Sequence, residues 1–264
     1  MMEENKKFKL VSSKKTRYLL PNILTLAGVC LGISSIKFSI DGNFTLAVTL
    51  ILVAAILDAL DGRIARLIKG TSDFGKELDS LTDFVSFGIA PVFILYFWEL
   101  NNYGKLGWAI TLIYSVCCVL RLARFNLTKV SDTEDWKNNF FEGIPSPAGG
   151  LLILMPLIYD LTDLNIGFEI KEITPYLTVF IAILLVSKIP TLALKKISIS
   201  PRTSVFLLLG IGIVFIALLF YTLETLLIFG ISYLISIPVS IIMYNNYNKK
   251  NAEKISEDNR EDIL

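Results

Sequence analysis

Eight apolar runs, each about 18 to 23 residues long, follow one another along the chain with short polar links between them. That length is what a helix needs to cross ~30 Å of hydrocarbon. The runs cover residues 18–40, 44–65, 80–100, 106–125, 146–164, 176–194, 204–222 and 225–244. A segment surrounded by lipid must satisfy its backbone hydrogen bonds internally, so each run is expected to be a helix. The expected fold class is all-α, a polytopic membrane helix bundle of about eight transmembrane helices. Composition agrees: hydrophobic residues make up 53% and charged residues 19%, against roughly 25% charged in soluble domains. A single soluble domain around one core is excluded. The first run is too long for a signal-peptide core and has no small-residue cleavage site, so it reads as a span.

Eight spans put both ends of the chain on one side. With the basic segment 1–17 placed in the cytoplasm, 22 of the 25 lysines and arginines face that side, and only Lys37, Lys105 and Lys171 face the other. By the positive-inside rule, the chain is an integral protein of the cell inner membrane or an equivalent one, both termini cytoplasmic. The basic inner face favours anionic membrane lipids; no nucleic-acid partner is expected. The polar tail 245–264 is expected to fray into solvent. The longest loop, 126–145, is too short for a soluble domain. Any chemistry must therefore sit on helix ends at the cytoplasmic surface.

There is no histidine, which removes histidine nucleophiles, general bases and zinc ligands together. Cys30, Cys117 and Cys118 lie inside apolar runs without CxxC spacing and read as packing residues.

The second run ends in Asp58-Ala59-Leu60-Asp61-Gly62-Arg63-Ile64-Ala65-Arg66, and the third opens with Gly75, Asp79 and Asp83. On a helix, Asp58 and Asp61 lie about 60° apart and Asp79 and Asp83 about 40° apart, so each pair shares a face. A short turn makes the two helices antiparallel neighbours and lets the four carboxylates converge at one depth. Four such groups resist being ionised together without a strong counter-charge. An all-oxygen set of this charge density suits Mg²⁺ or Mn²⁺, singly or as a pair. A pair would clamp the attacking and leaving oxygens of a phosphoryl transfer. The small residues Gly62, Ala65 and Gly75 let a flat base or a diphosphate approach the backbone.

The pattern D-x2-D-G-x2-A-R-x8-G-x3-D-x3-D, met at every position from Asp58 to Asp83, resembles the signature of the CDP-alcohol phosphotransferases. Pro21, Asn22 and Thr25 resemble that family's element ahead of the nucleotide pocket. The resemblance implies a six-helix core over 18–200, with two additional helices over 201–244 here. It further implies a cytoplasm-facing site, two divalent ions and a homodimer. By the same resemblance, Asp58, Asp61, Asp79 and Asp83 would hold the metal. Pro21, Asn22, Thr25, Gly62, Ala65, Arg66 and Gly75 would line the nucleotide diphosphate, and Asp83 would be the catalytic base.

Three further stretches bear on the acceptor: Arg121–Asn126, Phe141–Gly149 and Ser187–Thr191. They resemble the phosphatidylserine synthase branch of the family, which implies transfer of a phosphatidyl group from CDP-diacylglycerol to L-serine with release of CMP. Arg121 and Arg124 could grip the carboxylate of serine, with Asn126 and Lys188 as further candidate contacts. Lys188 is expected within the apolar run 176–194. Arg124, nearer the surface where a soluble acceptor enters, is the stronger candidate of the two arginines. Pro145 and Pro147 could simply start a helix. Rival readings are a different acceptor, such as glycerol 3-phosphate, inositol phosphate or choline, and a cation-coupled transporter. Transporters place their acids near the midplane of broken helices, often within inverted repeats, and the acids here cluster at helix ends.

Overall fold

The computed structural model describes residues 19–127, 140–162, 170–192 and 201–261. The basic segment 1–17, most of the 126–145 loop and residues 193–200 lie outside the described residues. The fold is all-α apart from one short strand pair. Helix α1 (Leu19–Ile40) turns back through Asp41 and Gly42 into α2 (Phe44–Leu67). Gly42 takes φ +78°, and Asn43 caps α2 by accepting from the Leu46 N–H at 3.1 Å. A third rod joins α3 (Asp73–Asp83), a π-helical turn (Phe84–Ile89) and α4 (Ala90–Trp98). A 3₁₀ turn at Leu100–Tyr103 leads into α5 (Lys105–Leu127).

Beyond α5 the helices depart from the expected spans. Run 146–164 is divided into α6 (Ser146–Ile153) and α7 (Met155–Leu161), which meet at Leu154. Pro147 and Pro156 stand in their first turns, where a missing N–H costs nothing but the preceding helix cannot continue. Among the described residues of run 176–194, helix extends only to Val186, the end of the 13-residue α8 (Thr174–Val186). It stops because Ser187 turns extended, with ψ 160°. Helix α9 (Pro201–Phe220) is followed by α10 (Thr222–Glu261), 40 residues long. Residues 245–261 of the polar tail continue α10, and no glycine or proline follows Pro238 before Glu261 to break it.

Among the described residues, five helices are long and apolar enough to cross a membrane: Leu19–Ile40, Phe44–Leu67, Asp73–Trp98, Lys105–Leu127 and Thr222–Tyr247. Their outward faces carry large apolar side chains that are at least half exposed, among them Leu26, Ile33, Val116 and Ile231. A water-soluble protein hides such a surface, whereas lipid tails solvate it. The interior combines Ile51, Phe87, Tyr114, Leu157 and Ile181 with buried hydroxyls such as Ser35 and Thr178, which bond back to their own helices.

Strands β1 (Phe140–Glu142) and β2 (Pro190–Leu192) pair antiparallel, Phe141 opposite Thr191 and Glu142 opposite Pro190. This clasp joins two of the three stretches singled out in the sequence as bearing on the acceptor.

Candidate active site

The carboxylates converge because of the turn between α2 and α3. Lys69 takes a left-handed φ of 53°, and the Gly70 N–H bonds to Ala65 O at 2.8 Å, closing α2 abruptly. Ser72 then caps α3 by accepting from the Gly75 N–H at 3.0 Å. This geometry brings carboxylate oxygens of Asp58, Asp61 and Asp79 within 4.8 Å of one another. Asp61 is the most enclosed, at 4% exposure. Thr25, from α1, donates to Asp61 Oδ2 at 2.5 Å and also approaches Pro21 O at 3.0 Å. Helix α1 comes this close because Gly28 and Gly32 face Thr82 and Ser86, and Ser86 Oγ donates to Gly28 O at 3.2 Å.

The glycines of the signature differ in what they provide. A Cβ on Gly62 would meet nothing within 4 Å, so the space beside α2 is open, as an approaching ligand requires. A Cβ on Gly75 would lie 3.1 Å from Ser72 Oγ and 3.3 Å from Asn22 Oδ1. Gly75 therefore makes room for the cap and for Asn22, rather than directly for a diphosphate. Ala65 is half-buried near the end of α2, while Arg66 is exposed.

Asp83 stands outside the three-carboxylate group, four residues beyond Asp79 at the end of α3. Its Oδ1 is buried and meets no hydrogen-bond donor among the described residues. The π-helical turn begins immediately after it, a feature that recurs at functional sites. Tyr114 and Ser115 hydroxyls donate to the carbonyls of Phe87 and Gly88 in that turn, at 3.0 and 3.4 Å.

Across from Thr25, the site is walled by α5 and the clasp. Arg121 is within electrostatic reach of Asp83. Its Nε donates to Ile144 O at 2.6 Å and its Nη1 to Ser146 Oγ at 2.8 Å, with Phe125 stacked 5.7 Å from the guanidinium. Arg124 Nη1 donates to Val186 O at 2.7 Å. The arginines therefore fasten the segment after β1 and the end of α8, respectively, to α5. Asn126 accepts from Ser80 Oγ at 3.1 Å, tying the end of α5 to the acidic helix. Lys188 is exposed in the link after α8, not inside a membrane helix, because α8 ends before reaching it. Pro145 and Pro147 do open α6. Sequence reasoning gave no role to Ser146 and Thr191, although both lie inside stretches it singled out; Ser146 Oγ accepts from Arg121 Nη1, and Thr191 Oγ1 donates to Gly143 O at 2.7 Å.

A family model described as CDP-alcohol phosphatidyltransferase matches residues 18–242, most of the chain. The chain belongs to this family. The chain is also 34% identical, over 227 residues, to a CDP-diacylglycerol–serine O-phosphatidyltransferase of Mycobacterium leprae, covering 84% of this chain and 74% of the relative. A protein of the same description from Helicobacter pylori is 35% identical over 237 residues, covering 87% and 96%. One from Methanocaldococcus jannaschii is 43% identical over a shorter stretch of 107 residues, covering 40% and 47%. In this CDP-alcohol phosphatidyltransferase the eight fixed signature positions span α2, the turn and α3, and the family match reaches through α9 into α10.

Proposed function

We propose that this membrane enzyme transfers the phosphatidyl group of CDP-diacylglycerol to L-serine and releases CMP. The observation that carries the reading is the convergence of Asp58, Asp61 and Asp79 beside Asp83, with Arg121 in reach on the opposite wall. The relatives that bear this activity in their descriptions cover most of the chain and supply the acceptor.

The donor set fits a hard divalent cation: it is all oxygen, tightly grouped, and one oxygen of Asp61 is already held by a hydroxyl donor. Asp58, Asp61, Asp79 and Asp83 would hold Mg²⁺ or Mn²⁺, two ions in our reading, which would neutralise the diphosphate and the departing CMP. Gly62 leaves the open face along which the nucleotide diphosphate lies, flanked by Pro21, Asn22, Thr25, Ala65 and Arg66, with Gly75 contributing indirectly by making room for Asn22. Asp83 Oδ1 takes the proton of the serine hydroxyl as the serine oxygen bonds to phosphorus and the phosphorus–oxygen bond to CMP breaks. Its burial without a donor supports that role. Arg121 Nη2, which makes no hydrogen bond among the described residues, is our choice for the serine carboxylate, with Arg124, Asn126 and Lys188 lining the approach.

The lysine and arginine asymmetry supports a cytoplasmic site and cytoplasmic termini. The shorter apolar helix Phe206–Phe220 and the α6–α8 segments support eight crossings by adding to the five long helices. We also propose that the enzyme is a homodimer, as the family resemblance implies. The test is an acceptor screen with purified full-length protein and labelled CDP-diacylglycerol. CMP release should depend on serine; release that depends instead on glycerol 3-phosphate, inositol phosphate or choline would overturn the acceptor, and no release with any of them would overturn the activity.

A further inference from the structure

Tyr114, Cys118 and Arg121 stand at i, i+4 and i+7 on α5 and so share one face of that helix. Tyr114 and Cys118 are fully buried there, against the π-helical turn Phe84–Ile89. The Cys118 sulfur occupies the space that Gly88 leaves, 2.9 Å from where a Cβ would stand. The Tyr114 hydroxyl donates to Phe87 O at 3.0 Å. At the end of the stripe, Arg121 comes within electrostatic reach of Asp83, the residue from which the turn starts.

The sequence gives a reason for a phenol at this place. In an α-helix, Phe87 O would accept from the N–H four residues on, but residue 91 is proline and has none. The turn is drawn wide around this defect, with the Ala90 N–H reaching back five residues to Val85 O. Phe87 is fully buried, and a Cβ on Gly150 of α6 would stand 3.1 Å from its carbonyl oxygen. A buried carbonyl without a donor is destabilising. Tyr114 supplies from α5 the donor that Pro91 withholds.

We propose that Tyr114 is a positioning residue for the transfer step, which through Phe87 O fixes the register between α5 and the π-helical turn and so the alignment of Arg121 with Asp83. This rests on the reading of Asp83 as the base and Arg121 as the acceptor contact. On its other side the turn is tied to α1, where Ser86 Oγ donates to Gly28 O at 3.2 Å. It therefore stays with the acids if the α5 tie is lost. The remaining polar contact to α5 is longer: Ser115 Oγ lies 3.4 Å from Gly88 O and is shared with Thr111 O at 3.0 Å. Without the Tyr114 donor, α5 can shift against the turn. Both substrates still bind, but the acceptor hydroxyl meets Asp83 in poorer geometry, and the loss falls on the chemical step.

The test measures CMP release by full-length Tyr114→Phe, by Tyr114→Phe combined with Pro91→Ala, and by Thr178→Val, each normalised to folded protein from thermal unfolding in detergent. Phe keeps the ring and removes only the donor. Tyr114→Phe should lower kcat about two- to tenfold, the range of one neutral hydrogen bond, while the KM values for serine and CDP-diacylglycerol each stay within about twofold. Pro91→Ala returns an N–H four residues beyond Phe87, so the double variant should recover most of the lost kcat. It also keeps the test decisive if Tyr114→Phe alone folds poorly. Thr178→Val removes an equally buried hydroxyl that bonds back to its own helix at Thr174 O, and should leave kcat unchanged. An unchanged kcat in Tyr114→Phe overturns the assignment, as does an equal fall in Thr178→Val. A rise in either KM in place of the fall in kcat, or a folded double variant that recovers nothing, overturns it too. Full turnover in Asp83→Asn overturns the base reading instead. Failure of the unsubstituted enzyme to release CMP with serine overturns the serine reading, and the alcohol that does support release then takes serine's place in the same comparison.

Discussion

The Thr25 hydroxyl lies 2.5 Å from Asp61 Oδ2 and ties the first helix to the most enclosed acid of the site. Thr25→Val keeps the volume and removes the donor. Partners that orient a metal-binding carboxylate typically contribute 10- to 100-fold in affinity or activity. We expect the Mg²⁺ concentration for half-maximal CMP release to rise about tenfold or more. A metal titration of the variant checks this, and an unmoved midpoint would count against Asp61 as a ligand.

Asp58→Asn and Asp79→Asn should each abolish turnover while leaving a folded, membrane-inserted protein. Each removes one negative ligand from a group whose oxygens lie within 4.8 Å of one another, and relieves their repulsion at the same time. Activity at saturating Mg²⁺ and Mn²⁺, together with a thermal unfolding curve, separates the two effects. Substantial residual turnover in either variant would remove that acid from the metal site.

Asp83→Asn should lower kcat by about 10² to 10⁴, the usual cost of losing a general base, with a smaller change in the KM for CDP-diacylglycerol. Parallel collapse of nucleotide-lipid binding would mark Asp83 as chiefly a metal ligand.

Arg121→Lys should raise the KM for serine about ten- to a hundredfold, the range for one charge-assisted hydrogen bond. A lysine ammonium cannot span both Ile144 O and Ser146 Oγ as the guanidinium fork does. Sequence position alone favoured Arg124 for this role. Arg121 is the one within reach of Asp83, and the matched Arg124→Lys variant should show the weaker acceptor effect.

Gly32→Ala should destabilise the contact between α1 and the π-helical turn without touching the acids. Its Cβ would come 2.8 Å from Ser86 Oγ and 3.0 Å from Ser86 Cα, and such overpacking costs about 1–3 kcal/mol. A lowered midpoint of thermal unfolding in detergent is the readout.

Long apolar runs and acids at fixed helical spacing are local signals, so Asp58, Asp61 and Asp79 could be placed together before any fold was known. Helix breaks were harder to see. Pro156 and Ser187 interrupt runs whose hydropathy continues unchanged, which hid the division at Leu154 and the early end of α8. The clasp left almost no trace, because strands of three residues are too short to show alternation.

The order of residues along the chain also orders its construction. Everything on the acidic side lies between Pro21 and Asp83, and the helices that carry it emerge from the ribosome consecutively. The opposite wall waits for Arg121, then Gly143, then Thr191, and is braced only when α10 packs against β2. A nascent chain thus possesses its carboxylates long before it can present a partner alcohol to them. Truncation before α10 would leave a half-built catalyst with its acids in place and its clasp unbraced.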